Sequence, residues 1–108
     1  MDCPREIKEL LDVLYNLSPA ETEVVYYLCE EDARVQEIAE DLGKDRSTVQ
    51  RYLSTLRTAG LVKRESEAEG GSRGRHYVYS VDRQEMKQEI RDRLDQWKED
   101  KIAVIEDL

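Results

Sequence analysis

The side chains whose types and spacing could do chemistry lie in one run, GKDRSTVQRYLSTLRTAGLVKR, residues 43–64. Within it Val49, Leu53 and Leu56 recur at three- and four-residue spacing, as on a helix with one buried face. The opposite face carries Ser47, Arg51, Ser54 and Thr58, with Thr48, Gln50 and Thr55 on its shoulders. That face holds no acidic residue, in a chain where Asp and Glu number 25. Such side chains hydrogen-bond to nucleic acid: Arg pairs bidentately with guanine, Gln with adenine, and Ser and Thr with phosphates or bases. The spacing predicts a recognition helix over 46–59. Its first half (Arg46, Ser47, Thr48, Gln50 and Arg51) would enter the major groove, and Lys44, Ser54, Thr55 and Arg57 complete the expected contacts on this segment. The bland alternative is the solvated side of a surface helix, and the lack of acids weighs against it.

Charge bears on the same point. The whole chain carries a formal −8. Residues 44–76 hold eight basic and four acidic side chains, whereas residues 1–43 hold three and twelve, and residues 77–108 six and nine. The basic excess is confined to the segment that would meet DNA. At physiological salt, fields from charges more than about 8–10 Å away are largely screened, so a duplex would feel mainly this segment. The acidic remainder is expected to weaken non-specific binding.

Little else invites chemistry. Cys3 and Cys29 lack metal-ligand spacing, and His76 has no nucleophile or carboxylate pattern around it. Cys29 ends an apolar helical stripe and reads as a buried free thiol. Cys3, near the start, reads as exposed, with redox or intersubunit pairing open to it. No catalytic site, metal or cofactor is expected. No apolar run approaches the roughly 20 residues that span a bilayer, and MDCPREIKEL has no signal-peptide pattern. A cytoplasmic protein without membrane contact is expected.

These residues must be positioned by helices and a hairpin. Ile7, Leu10, Leu11, Leu14 and Leu17 predict a first helix over Arg5–Leu17. Ser18, Pro19 and Glu21 form a capping box opening a second, with Val24, Val25, Leu28 and Cys29 inward. After an extended link at Val35, a short third helix runs Gln36–Leu42, and Gly43 ends it in the left-handed conformation. Asp45 caps the fourth and Gly60 closes it, so the two helices cross steeply through a tight turn. LVKRESE and RHYVYSV then alternate like strands about AEGGSRG, a hairpin whose tip offers Arg73 and Arg75 to backbone or minor groove. Glu65, Glu67 and Glu69 share strand parity with Lys63 and Arg73, which leaves open the face the wing presents. Asp82 caps the last helix.

The stretches LSPAETEVVYYL, VQEIAEDLGKDRSTVQRYLSTLRTAGLVKR and GGSRGRHYVYS resemble the small winged helix-turn-helix transcription regulators of the TrmB-like and MarR-like groups. The resemblance covers residues 18–82 and is most specific from Val35 to Arg64. It implies a mainly α fold with a small β-hairpin and a sequence-specific regulator of double-stranded DNA, with the wing at 66–76. Full-length TrmB proteins carry a C-terminal sugar-binding domain with no counterpart in this sequence, so a sugar effector is not implied, nor is another small-molecule effector indicated.

One recognition helix reads only a few base pairs, and two-fold dimers double the contacts. From residue 83 to 108, Ile90, Leu94, Trp97, Val104 and Leu108 follow a heptad seam broken at Lys101. With Leu10 and Leu14 of the N-terminal helix (residues 1–17), they are the expected homodimer surface, Trp97 at its centre. The competing function is a winged-helix module for protein–protein contact, without direct DNA reading, which the acidic bulk would favour.

Overall fold

The computed structural model describes residues 3–67 and 76–108. Among these, five helices and a hairpin follow in the order α1 (Ile7–Tyr15), α2 (Pro19–Glu30), α3 (Val35–Leu42), α4 (Arg46–Thr58), β1 (Lys63–Glu67), β2 (His76–Ser80) and α5 (Arg83–Glu106). The expected order of a winged helix-turn-helix with a long last helix is present.

Several boundaries move for physical reasons. Helix α1 is shorter than Arg5–Leu17 because Asn16 turns left-handed (φ 55°) and returns its N–H to the Asp12 carbonyl. Asn tolerates that conformation through its short polar side chain. At α2 the capping box is complete: the Glu21 N–H donates to Ser18 Oγ at 3.2 Å and the Ser18 N–H to Glu21 Oε1 at 2.8 Å. Val35 belongs to α3 rather than to an extended link. The Glu37 carboxylate accepts the Arg34 N–H at 2.9 Å, satisfying an amide at the helix start, and Val35 is buried there. The extended step falls at Ala33, whose N–H and C=O both bond Tyr79 of β2, at 3.0 and 2.8 Å.

Gly43 is left-handed (φ 64°), as is Gly60 (φ 80°), and α4 ends at Thr58, one residue before the expected Ala59. At Gly60 a Cβ would also lie 2.9 Å from Glu89 Oε1 of α5, so the turn needs glycine for its conformation and for its neighbour. The core gathers Leu11, Val24, Val25, Leu28, Ile38, Val49, Leu53, Leu56 and Leu61 from α1 to α4 and the link to β1. Tyr15 fastens α1 to α5. Its hydroxyl donates to Glu89 Oε2 at 2.7 Å, and the Arg93 guanidinium lies 4.8 Å from its ring centre. Burial first, then the Glu89 carboxylate, pushes the Tyr15 phenol far above its ordinary range.

Both cysteine expectations are overturned. Cys3 is 5% exposed and forms a disulfide with Cys29, their Cα atoms 5.9 Å apart. The Tyr26 hydroxyl, within hydrogen-bond reach of the Pro4 and Arg5 carbonyls at 3.1 Å, holds the segment before α1 over the end of α2. Neither residue is a free thiol, and Cys3 is not at the surface.

Only Met86 and Ile90 of α5 are buried, and every residue from Arg91 to Leu108 is exposed. The described chain measures 63 × 26 × 26 Å with a radius of gyration of 16.1 Å, against about 13 Å for a compact chain of this length. The excess is the outer half of α5. Among the described residues no helix is long and apolar enough to cross a membrane, and no group of His, Cys, Asp and Glu could hold a metal ion.

Candidate nucleic-acid interface

Helix α4 buries Val49, Leu53 and Leu56 and so turns its polar side outward. Arg46, Ser47, Gln50, Arg51, Ser54, Thr55 and Arg57 are exposed, while Lys44 and Thr48 are half-buried. Asp45 organises the leading turn. It accepts the Thr48 N–H at 3.1 Å together with the hydroxyls of Ser47 and Thr48. Those bonds, the Ser47 hydroxyl's first, hold the Asp45 carboxyl below its ordinary range. Having donated their only O–H, Ser47 and Thr48 face outward as acceptors. They suit the amino groups of adenine or cytosine better than phosphate oxygens, which need donors. Thr48 Oγ1 also meets Arg51 Nη2 at 3.5 Å, a long contact that leans Arg51 toward the start of the helix.

Strand register separates the charges at the base of the wing. Arg64 faces Tyr79 and Ser66 faces Tyr77, so these four share one side of the sheet, while Glu65 and Glu67 pair with Val78 and His76 on the other. The Arg64 guanidinium lies 4.1 Å from the centre of the Tyr77 ring. Its hydrogen bond to Tyr79 raises it above its ordinary range. Arg73 and Arg75, the wing-tip residues expected from sequence, lie outside the described residues.

Between the leading ends of α3 and α4 and the sheet runs a cleft of about 370 Å³, lined by Arg34, Val35, Gln36, Arg46, Gln50, Arg64, His76, Tyr77 and Tyr79. None of these is acidic. Arg34, beside it, reaches Glu67 with Nη2 2.9 Å from Oε1. The structure thus joins Arg46 and Gln50 to three basic residues absent from the sequence-based set. Arg64 was legible in principle, since its strand parity matches Tyr77 and Tyr79; Arg34 carries no local signal. Arg57, near the far end of α4, lines a separate shallow depression with Lys63 and Arg64.

Residues 18–64 match the family model described as bacterial regulatory protein, arsR family. The uncharacterised protein MJ1082 of Methanocaldococcus jannaschii is 36% identical over 93 residues, spanning 84% of this chain and 76% of that protein. That likeness over most of both chains makes them members of one family. Two solved archaeal structures have the same fold. A possible transcriptional regulator from Methanosarcina mazei superposes with a TM-score of 0.80 at 19% identity, covering 94% of this chain and 87% of its own. The ST1889 protein of Sulfolobus tokodaii superposes with a TM-score of 0.72 at 21% identity, covering 90% and 93%. The chain therefore belongs to one family with MJ1082, has the winged helix-turn-helix fold, and carries over residues 18–64 a match to the arsR-family regulatory proteins.

Proposed function

We propose that the protein is a homodimer that reads double-stranded DNA by sequence, with α4 in the major groove and the wing, residues 66–76, on the flanking backbone or minor groove. The observation that carries this is the outward side of α4: exposed, acid-free and rich in Arg, Gln and hydroxyl groups, on a chain of net charge −8. A helix face that only had to stay hydrated would have no reason to exclude the commonest charges of its own protein. Gln50 and Arg51 supply fork donors to base edges, Ser47 and Thr48 supply acceptors, and Arg46 supplies a cation at the leading end of the helix.

The dimer reading rests on two surfaces of unlike charge. Between α1 and the inner half of α5 lies a groove of about 560 Å³ floored by Ile7, Leu10, Met86 and Ile90 and edged by Arg83, Lys87 and Arg91. The outer half of α5 leaves Leu94, Trp97, Ile102, Val104, Ile105 and Leu108 exposed and carries Glu99, Asp100, Glu106 and Asp107. An apolar, acidic helix end complements an apolar groove edged with cations. A rigid helix cannot fold back onto its own groove, so the occupant is the α5 of a second copy. Ile90 is buried in its own core and forms part of the groove floor rather than of the exposed seam.

The test is a duplex titration against salt, using random duplexes and genomic fragments enriched by the wild-type protein. Affinity should fall steeply with salt, and changing Arg46 and Arg51 together to Ala should abolish preference for the enriched fragments without lowering Tm. If no duplex binds at low salt, the protein-contact module becomes the better reading.

A further inference from the structure

The cleft beside α4 is more basic than base reading requires. Base edges are read by side chains reaching out from a helix, whereas here donors converge on a concavity from α3, α4 and both strands. Converging Arg side chains suit an anion with several acceptor oxygens. Arg64 is the best prepared: with its guanidinium against the Tyr77 ring, its plane is already fixed and little freedom is lost on binding. Arg46 leads α4 into the same space. Arg34 is engaged otherwise, since the Glu67 carboxylate holds it from the far side of the sheet.

We propose that this cleft seats one backbone phosphate of the bound duplex, gripped by Arg64 and Arg46, and that Glu67 competes with that phosphate for Arg34. The inference rests on the DNA reading above. A phosphate drawn into the cleft offers Arg34 a second anionic partner, and the Glu67 carboxylate draws the guanidinium away from it. Glu67 therefore attenuates affinity without carrying sequence information, because every duplex presents the same phosphate. This gives an acidic side chain beside a DNA-binding surface a definite role: it keeps the grip on backbone loose, so that base contacts made by α4 decide where the protein stays.

The experiment measures affinity of Arg64→Gln and Glu67→Gln against salt, on a random-sequence duplex and on a genomic fragment enriched by the wild type. Both residues are exposed, and unchanged thermal unfolding verifies that the variants fold. Arg64→Gln should lower affinity about tenfold, equally on both duplexes, and reduce the salt slope by about 0.9. Glu67→Gln should tighten both duplexes alike, by about two- to fivefold. An unchanged slope in Arg64→Gln, with the wild type still binding, overturns the seat and leaves the DNA reading standing. Loss of affinity in Glu67→Gln overturns the competitor role. Failure of the wild type to bind any duplex removes both this inference and the reading beneath it.

Discussion

Helices α4 and α5 begin alike and end differently. Each is capped by an aspartate, Asp45 accepting the Thr48 N–H at 3.1 Å and Asp82 the Glu85 N–H at 3.0 Å. Each carries apolar residues at three- and four-residue spacing. In α4 the whole stripe is covered, and Val49, Leu53 and Leu56 have 0% exposure. In α5 the cover stops after Ile90; Trp97 is 39% exposed and Val104 64%. A helix whose apolar side is satisfied within its own chain has only its polar side to offer, and it offers that to a polar partner. A helix whose apolar side outruns its domain has surface that water penalises, at roughly 25 cal/mol per Å², and another apolar surface relieves the penalty. On the proposed reading the two helices divide the work, α4 facing DNA and α5 facing a second copy.

The sharpest way to break this contrast is to truncate one leucine in each helix. Leu53→Ala should destabilise the fold by about 2–5 kcal/mol in chemical denaturation at any protein concentration. Leu94→Ala should cost below about 0.5 kcal/mol in dilute solution and more as concentration rises, because stability that comes from association follows mass action. Equal, concentration-independent losses would mean that α5 is covered by its own chain. Next in size, Trp97→Glu should weaken association by about 2 kcal/mol or more. Sedimentation would then give half the wild-type mass, and DNA affinity should fall with it; an unchanged mass rules out the seam.

The smallest effect probes the cap that orients the reading turn. Asp45→Ala should remove the cap and lower Tm slightly, and release the Ser47 and Thr48 hydroxyls to donate. The preference among bases at the positions they face should change more than overall affinity does. Because Asp45 is held below its ordinary value of 3.8 in the folded chain, its contribution is complete above that value and is lost as pH falls through the lowered one. Acid unfolding of Asp45→Ala should accordingly show a shallower dependence on pH in that window.

Much of the fold was legible because its signals are local. Ser18 with Glu21, Gly43, Asp45, Gly60 and Asp82 each act within four residues, and each does in the structure what its residue type requires. Misses arose where a local signal was weak or the partner distant. Asn16 stops α1 in the left-handed conformation that glycine more often supplies. Glu37 reaches back to start α3 at Val35. The cysteines, 26 residues apart, carry no spacing that announces a bond. Of the candidate interface, the outward placing of the α4 residues was readable from periodicity. Arg34 and His76 were not, since nothing within a turn of either points to Arg46.

By itself the sequence determined where each helix begins, which side of it is apolar, and that positive charge gathers in residues 44–76, because capping, periodicity and charge depend on residue type and near neighbours. Only the tertiary structure decided what covers each apolar side and which distant side chains meet. It joined Cys3 to Cys29, stacked Arg64 on Tyr77, drew Arg34 to Glu67 and left the end of α5 uncovered. Those outcomes depend on how segments far apart in the chain cross in space, and the crossing is set by packing of the shared core rather than by any one segment's pattern.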